Sequence, residues 1–518
     1  MCIRDSIVTD LVTLRNEKQK AELKLLKLIY TANGYEFNVG VKSTKPNTQY
    51  RQDFKDLLLK YWGSSSFREL AFYKDPDRTT EKYAIEQGAL IEEIVQEVEK
   101  AIDNKNFSDI FITSPTGAGK SLLFQIPAIY LHHNYGLVTI IVSPLIALMY
   151  DQVMALRSKG IEFVAYINSS ISLVERENII GKIKKGEISI LYLSPELLLS
   201  YDVRHFIGER SIGLLVIDEA HLVTTWGRDF RVDYWYLGTY IKRLRKYMSS
   251  SFPVLAVTAT AVYGGPDDIV FETLENLNMQ APKLRIGNSR RDQIRFNLRS
   301  FQIKGNHELV KLNKTREIVI RNIRDGVKTI VYFPWRNQIR LLMQDLPSDI
   351  KYKAGEYYSD VEATRKQIVA DKFQKGDIFT VLATKAFGMG IDVSDIQMIY
   401  HHAPSGNLSD YIQEVGRVAR REDIKGTATI DFCEKDLKFT RILYGLSSIK
   451  QYQVKYVLQK ISDLYKKYQK RQMLVSAEDF GFIFANVGSE ALETKVKSAL
   501  LLLEKDLYRK VNNQYNIL

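Results

Sequence analysis

The 518-residue sequence holds only two cysteines, Cys2 and Cys433, which excludes a disulfide framework and a four-cysteine zinc site. Such sparse cysteine use leads us to expect a reducing, cytoplasmic setting. Long apolar runs are missing too. Leu214–Ile217 and Ala499–Leu503 fall far short of the ~20 residues a membrane span needs, so no membrane association is expected. No stretch repeats at solenoid periods, and no low-complexity tract interrupts the chain. Acid is the scarcer charge. Against 61 Asp and Glu stand 73 Lys and Arg, and the resulting +12 favours a polyanionic partner such as nucleic acid, although an ordinary basic enzyme shows the same balance. The opening Met-Cys-Ile-Arg-Asp-Ser reads as a translated sequencing adapter joined to a gene fragment, so residues 1–6, Cys2 included, are set aside from fold reasoning.

What is present is ordinary globular usage, 45% hydrophobic and 26% charged, in a length that accommodates roughly three domains. Residues 7–82 read as a mostly helical accessory segment, charged around Asn16–Lys27, broken at Gly34, Gly40 and Pro46, and aromatic at Tyr61, Trp62, Phe67, Phe72 and Tyr73. Over 83–282, short apolar runs alternate with helical stretches: Ile110–Thr113, Val138–Val142, Ile188–Leu193, Leu214–Ile217 and Val254–Val257. That alternation predicts βαβ units and a parallel sheet. A second set fills 283–436 after an irregular basic link around Arg285–Arg295, with runs Thr329–Phe333, Phe379–Ala383, Met398–His401 and Thr427–Phe432. The expected fold class is therefore α/β, two parallel-sheet domains in tandem. Residues 437–475 read as a basic helical region. Residues 476–518 read as short helices, with Ala491–Leu507 as one candidate, and a closing hairpin from Tyr508–Val511 through Asn512 and Asn513 to Tyr515–Leu518.

Two motifs carry chemistry. Ser114-Pro-Thr-Gly-Ala-Gly-Lys-Ser121 sits between the strand run Ile110–Thr113 and the apolar helical run Leu122–Tyr130, the context of a phosphate-binding loop. Thr116, Gly117, Ala118 and Gly119 form the turn whose N–H groups face phosphates at a helix N-terminus. Lys120 reaches the terminal phosphates of ATP, and Ser121 can ligate Mg²⁺. Asp218-Glu219-Ala220-His221 then ends the run Leu214–Ile217, placing two carboxylates where open α/β sheets bind ligands. Asp218 is the candidate Mg²⁺ ligand, and Glu219 the residue that orients or deprotonates the attacking water.

With both motifs placed, the chain resembles the superfamily-two helicases and, within them, the RecQ-like DNA helicases, over roughly Tyr83–Arg441. Ser143-Pro-Leu-Ile-Ala-Leu-Met-Tyr-Asp-Gln152, Leu193–Leu197 and Thr258-Ala-Thr260 are similar to motifs of that family, in its order. Trp226-Gly-Arg-Asp-Phe-Arg231 resembles the aromatic-rich loop by which RecQ-type enzymes sense DNA. Its Trp226 and Phe230 offer stacking faces beside Arg228 and Arg231, or else pack in the core. Lys328–Asn337, Thr384-Lys-Ala-Phe-Gly-Met-Gly-Ile-Asp392 and Gln413-Glu-Val-Gly-Arg-Val-Ala-Arg420 resemble the motifs of the second half. Arg417 and Arg420 would share one face of a helix, either at the surface or at phosphate oxygens across an interdomain cleft. The resemblance implies two RecA-like domains with Mg²⁺-ATP between them, 3′ to 5′ movement, and single-stranded and tailed duplex DNA as partners. It further implies nucleotide contacts at Gly390 and Asp392, nucleic-acid contacts at Ser143, Pro144, Thr384, Trp226, Phe230 and Arg231, a catalytic place for His221, and a relay of strand contact to hydrolysis through Thr258–Thr260, Trp226 and Gln413.

The pattern breaks in two places. The adenine-reading glutamine is Gln87 or Gln96, with Gln87 preferred. The family's zinc platform has no counterpart, because Cys433 is the only cysteine beyond Cys2, so no zinc is expected. In its place Lys450–Arg471 interleaves Tyr452, Tyr456, Tyr465 and Tyr468 with Lys450, Lys455, Lys460, Lys466, Lys467, Lys470 and Arg471 against one acid, Asp463. This is either a strand-binding face or a solvated helix whose tyrosines pack on the motor. Residues 476–518 resemble the start of a winged helix. The leading expectation is an ATP-dependent DNA helicase. The rivals are a DNA-stimulated remodeller that does not separate strands and a non-catalytic nucleic-acid-binding subunit, with RNA as the alternative substrate.

Overall fold

Strands buried on both faces should read as continuous apolar runs, and the runs found in the sequence become the inner strands of two sheets. The computed structural model describes residues 48–510 except 77–78, 116, 145, 169–170, 225–231, 249–250, 260–262, 264–267, 288–290, 292, 303–304, 359, 385–386, 388–392, 407, 422–423, 441–448, 471 and 485–488. Two short strands come first, β1 (Glu69–Tyr73) and β2 (Lys82–Glu86). The first large sheet holds β3 (Ile110–Thr113), β4 (Val138–Val142), β5 (Val164–Ile167), β6 (Ile190–Leu193), β7 (Ile212–Ile217), β8 (Val254–Thr258) and β9 (Lys283–Ile286). Their spatial order is β5-β6-β4-β7-β8-β3-β9, every pairing parallel.

The second sheet holds β10 (Ile294–Ser300), β11 (Thr329–Tyr332), β12 (Ala354–Tyr357), β13 (Thr380–Ala383), β14 (Met398–His401) and β15 (Gly426–Phe432). It is ordered β10-β15-β14-β11-β13-β12, again all parallel. Alternate residues of one strand feed opposite cores, as the pleat requires. Ile110 and Ile112 join one core and Phe111 the other. Ile330 and Tyr332 part from Val331 and Phe333 in the same way. Helices cover both faces of each sheet, so the molecule carries two RecA-like α/β layers in tandem.

The segment before residue 83 departs from the helical expectation. Its described part is one helix, Gln52–Trp62, followed by the antiparallel pair β1–β2. Phe54, Leu58, Tyr61, Phe67, Leu70 and Phe72 pack into the first domain's core with helices Gln87–Ile102 and Leu122–Tyr135, so no break in packing falls at residue 83. Arg51 fastens the helix. Its guanidinium donates to Glu92 Oε1 at 3.0 Å, Glu99 Oε2 at 2.6 Å and the Tyr130 hydroxyl at 2.7 Å. An antiparallel bridge between Phe72 and Gly287 ties the hairpin to the edge beyond β9.

After the second sheet, helix Gln451–Tyr468 packs with a 3₁₀ segment, Ala477–Ile483, and helix Ser489–Lys510 around Val457, Phe480, Phe484, Val496, Ala499 and Leu503. This unit rests on the first domain, where Leu501 and Leu502 pack with Tyr236 of helix Val232–Tyr247. Residues 508–510, expected to open the closing hairpin as a strand, instead end helix Ser489–Lys510, while the rest of that hairpin and Asn16–Lys27 lie outside the described residues. Among the described residues no helix is long and apolar enough to cross a membrane.

Candidate nucleotide site and interdomain cleft

Parallel sheets direct the carboxyl ends of their strands to one edge, and the candidate residues gather there: Ser114 after β3, Ser143 after β4, Asp218 after β7 and Ala259 after β8. The loop after β3 turns on Gly117 and Gly119, at φ 83° and 75°, values that glycine adopts without strain. At Gly119 a Cβ would lie 2.8 Å from Gln87 Nε2. That amide donates to Ala118 O at 3.0 Å and Gly119 O at 3.1 Å, and its Oε1 accepts the Arg68 N–H at 3.3 Å. Arg68 Nη1 in turn donates to Gly117 O at 3.2 Å. Of the two candidate glutamines, the structure brings Gln87 to the loop. Among the described residues, Gln96 bonds along its own helix, to Glu92.

Lys120 Nζ donates to Ser114 O at 3.1 Å and Pro115 O at 3.2 Å. Burial lowers its pKa, the Glu219 and Asp218 carboxylates oppose that fall, and Arg420 of the second domain adds to it. Ser121 Oγ accepts from Gln152 Nε2 at 3.2 Å, and Gln152 Oε1 accepts from Gln125 at 2.6 Å. Gln152 belongs to the motif quoted above, but nothing in the sequence revealed this contact.

Burial, and then the neighbouring Glu219 carboxylate, push the Asp218 carboxyl up to about 7, while Lys120 and the Glu219 N–H at 2.9 Å pull the other way. Glu219 holds a left-handed backbone, φ 48°, unusual for a residue with a side chain and common where function fixes the conformation. His221 is 1% exposed, and burial lowers its pKa to about 4, so it is neutral. Its Nδ1 lies 2.7 Å from Thr258 Oγ1, and its Nε2 lies 2.6 Å from Gln413 Nε2 of the second domain. As the amide is placed, Gln413 donates and Nε2 accepts, which leaves the proton on Nδ1 facing Thr258.

The second domain brings Gln413, Arg417 and Arg420 to the cleft. Helix Leu408–Val415 ends before either arginine, so they are not one helical face, contrary to the spacing argument. They sit on a turn in which Ala419 has φ 50°. Arg291 pins this turn by donating to Gly416 O at 2.9 Å and to Ala419 O. Desolvation lowers the Arg417 pKa, Arg420 lowers it further, and Tyr332 and Glu414 oppose. Glu414 itself is held by His401 Nε2 at 2.9 Å and Ser405 Oγ at 2.5 Å. The roles of Arg68, next to β1, and Arg291, one of several arginines in the basic link, went unnoticed in the sequence because neither position carries a spacing signal.

Other candidates fall less centrally. Ser143 is buried, its N–H donating to Leu193 O at 3.0 Å, with Pro144 beside it. The Thr384 N–H donates to Tyr357 O at 3.2 Å at the same edge of the second sheet. Thr116, Trp226, Phe230, Arg231, Gly390 and Asp392 lie outside the described residues. The residues present fit a metal-bound triphosphate. Mutually repelling cations at Lys120, Arg417 and Arg420 call for an anion, and a crowded carboxylate pair, Asp218 buried and Glu219 half-buried, calls for a cation.

The DEAD/DEAH box helicase family matches residues 90–269, and the helicase conserved C-terminal domain matches residues 310–422. The ATP-dependent DNA helicase RecQ of Pasteurella multocida is 34% identical over 327 residues, covering 62% of this chain and 47% of that protein. RecQ of Haemophilus influenzae is 33% identical over 328 residues, covering 63% and 48%. The chain thus spans about half the length of these curated relatives. Among solved structures, the DEAD-box helicase Mss116 bound to ssRNA and UDP-BeF aligns over 90% of this chain and 98% of its own, with a TM-score of 0.56 at 17% identity, a likeness of fold. With two parallel-sheet domains, the two helicase matches and these relatives together, the chain belongs to the RecQ-like superfamily-two helicases.

Proposed function

We propose that the chain is an ATP-dependent DNA helicase motor that moves 3′ to 5′ along single-stranded DNA and separates a tailed duplex. The observation that carries the reading is the direct contact between His221 of the first domain and Gln413 of the second, 2.6 Å, beside Lys120 and Arg420. Hydrolysis coupled to movement needs the nucleotide's state to be felt by both domains, and this contact joins the hydrolytic segment to the segment bearing the arginines.

In this reading the loop Gly117–Lys120 binds the phosphates, and Gln87 and Arg68 hold that loop in shape. Ser121 and Asp218 would hold Mg²⁺, which neutralises charge on the transferred phosphoryl group when bound. Glu219 orients or deprotonates the attacking water at its carboxylate. Arg417 and Arg420 stabilise charge that grows on the phosphate oxygens. The chain from Thr258 through His221 to Gln413 reports domain closure between the sites. Strand contact falls to Ser143, Pro144, Thr384 and the Trp226–Arg231 segment, mostly through phosphates, which gives steep salt dependence and little sequence preference.

The test is strand displacement on labelled duplexes with a 3′ tail, a 5′ tail or blunt ends. Displacement of the 3′-tailed duplex alone supports the proposal. ATP hydrolysis stimulated by single strands without displacement of any duplex would make the chain a remodeller instead.

A further inference from the structure

The exposed face of helix Gln451–Tyr468 is unused by the motor, and its chemistry is specific. The helix packs through Val454, Val457, Ile461 and Leu464. The solvated-helix reading of the sequence required the tyrosines to pack as well. They do not, since Tyr452 and Tyr456 are 52% and 50% exposed, and Tyr465 and Tyr468 near the C-terminal end are similar. Tyr452, Lys455 and Tyr456 in the first two turns and Lys466 and Lys467 three turns on share the side opposite the packing face, with Asp463 the only acid among them. None of these lysines makes an ion pair with a carboxylate among the described residues. The Tyr452 and Tyr456 rings meet edge to face, centroids 6.2 Å apart, and Lys450 lies 6.0 Å from the Tyr452 ring centre.

We infer that this face is a second binding site for single-stranded DNA, outside the motor cleft. Three lysines against one acid, none of them ion-paired among the described residues, suit phosphates, and exposed rings suit unpaired bases, whereas a duplex would leave the rings idle. From Tyr452 to Lys467 the helix runs ~22 Å at 1.5 Å per residue, enough for about six nucleotides at 3.4 Å each. The helix is fixed to the first motor domain through Leu501, Leu502 and Tyr236, so a strand held here stays at a constant distance from that domain. The inference rests on the reading that the chain tracks DNA, but its test needs no ATP.

The experiment measures fluorescence anisotropy of a labelled 20-nucleotide oligothymidylate and of a blunt duplex with the full chain, without nucleotide, across a salt series. Tyr452→Ala with Tyr456→Ala should weaken oligothymidylate binding about tenfold through lost stacking and leave duplex binding within about twofold. Tyr452→Trp with Tyr456→Trp should retain the affinity. Replacing Lys455, Lys466 and Lys467 by Gln should lower the slope of log K against log salt by about 2, near 0.7 per lost phosphate contact. DNA-free ATP hydrolysis and the thermal midpoint should match the parent in every variant, because these side chains face solvent. Unchanged oligothymidylate affinity and slope, or an equal loss on duplex, overturns the proposal. A parent that binds through this face yet hydrolyses no ATP would instead refute the motor reading alone.

Discussion

Replacing Gln413 by Ala should uncouple the two domains while leaving nucleotide binding intact. The Gln413 amide donates to His221 Nε2 at 2.6 Å, and His221 is buried and neutral with its other nitrogen committed to Thr258. Removing the donor leaves a buried acceptor unmatched whenever the cleft closes, a cost of about 1–3 kcal/mol. Closure would be disfavoured about 5- to 140-fold, since each 1.4 kcal/mol is a factor of ten. The assay is steady-state ATP hydrolysis at saturating single-stranded DNA, beside equilibrium binding of a fluorescent ATP analogue. We expect the stimulated kcat to fall about 5- to 140-fold and the analogue's Kd to stay within about twofold, because Lys120 and the glycine loop are untouched. In a double-mutant cycle His221→Ala should add little to Gln413→Ala. A stimulated kcat within twofold of the parent, or fully additive losses, would refute the argument.

Further predictions follow from other contacts. Gln87→Ala should weaken nucleotide affinity about tenfold by releasing the loop at Ala118 and Gly119, whereas Gln96→Ala should leave it unchanged; a binding titration checks both. Asp109 is fully buried and accepts from Arg245, Val254 N and Gln280 N, so Asp109→Ala should cost about 3–5 kcal/mol in urea unfolding, and a cost under 1 kcal/mol would contradict this. Burial lowers the pKa of His402 to about 3, and its Nδ1–H donates to Thr315 Oγ1 at 2.7 Å. Between pH 6.5 and 3 the unfolded chain therefore binds a proton the folded one refuses, so stability declines as pH falls through that window. His402→Gln should flatten that acid limb in thermal unfolding followed from pH 7 to 4.

The sequence revealed the inner strands and hid the edges. β3, β4, β6, β7 and β8 are buried at every position, so their residues must all be apolar or β-branched and stand out as runs. The strands that were missed in the sheets, β5, β9, β10 and β12, are the four sheet edges. Among these, β10, Ile-Arg-Phe-Asn-Leu-Arg-Ser, leaves most of its residues exposed, so it reads as part of a basic linker, whereas β5 is mostly buried but only four residues long. The hairpin β1–β2 was masked similarly, by the charge and polarity of Lys74–Lys82 between two short strands. Within the site, residues in compact motifs such as Lys120, Asp218 and His221 were legible because spacing and strand context mark them. Arg68, Gln152 and Arg291 act through contacts with backbone or side chains distant in sequence, which leave no local pattern. The helical-face argument for Arg417 and Arg420 failed because helix Leu408–Val415 stops early, at a turn with Ala419 in the left-handed region.

The central claim is that nucleotide hydrolysis in this cleft is coupled to a DNA strand. Its most direct test is ATP hydrolysis by the full chain with and without single-stranded DNA, beside Glu219→Gln, which keeps the site's shape and removes the carboxylate. The account predicts strong stimulation by DNA and loss of hydrolysis in Glu219→Gln under both conditions. Hydrolysis indifferent to DNA, or surviving in Glu219→Gln, would contradict it.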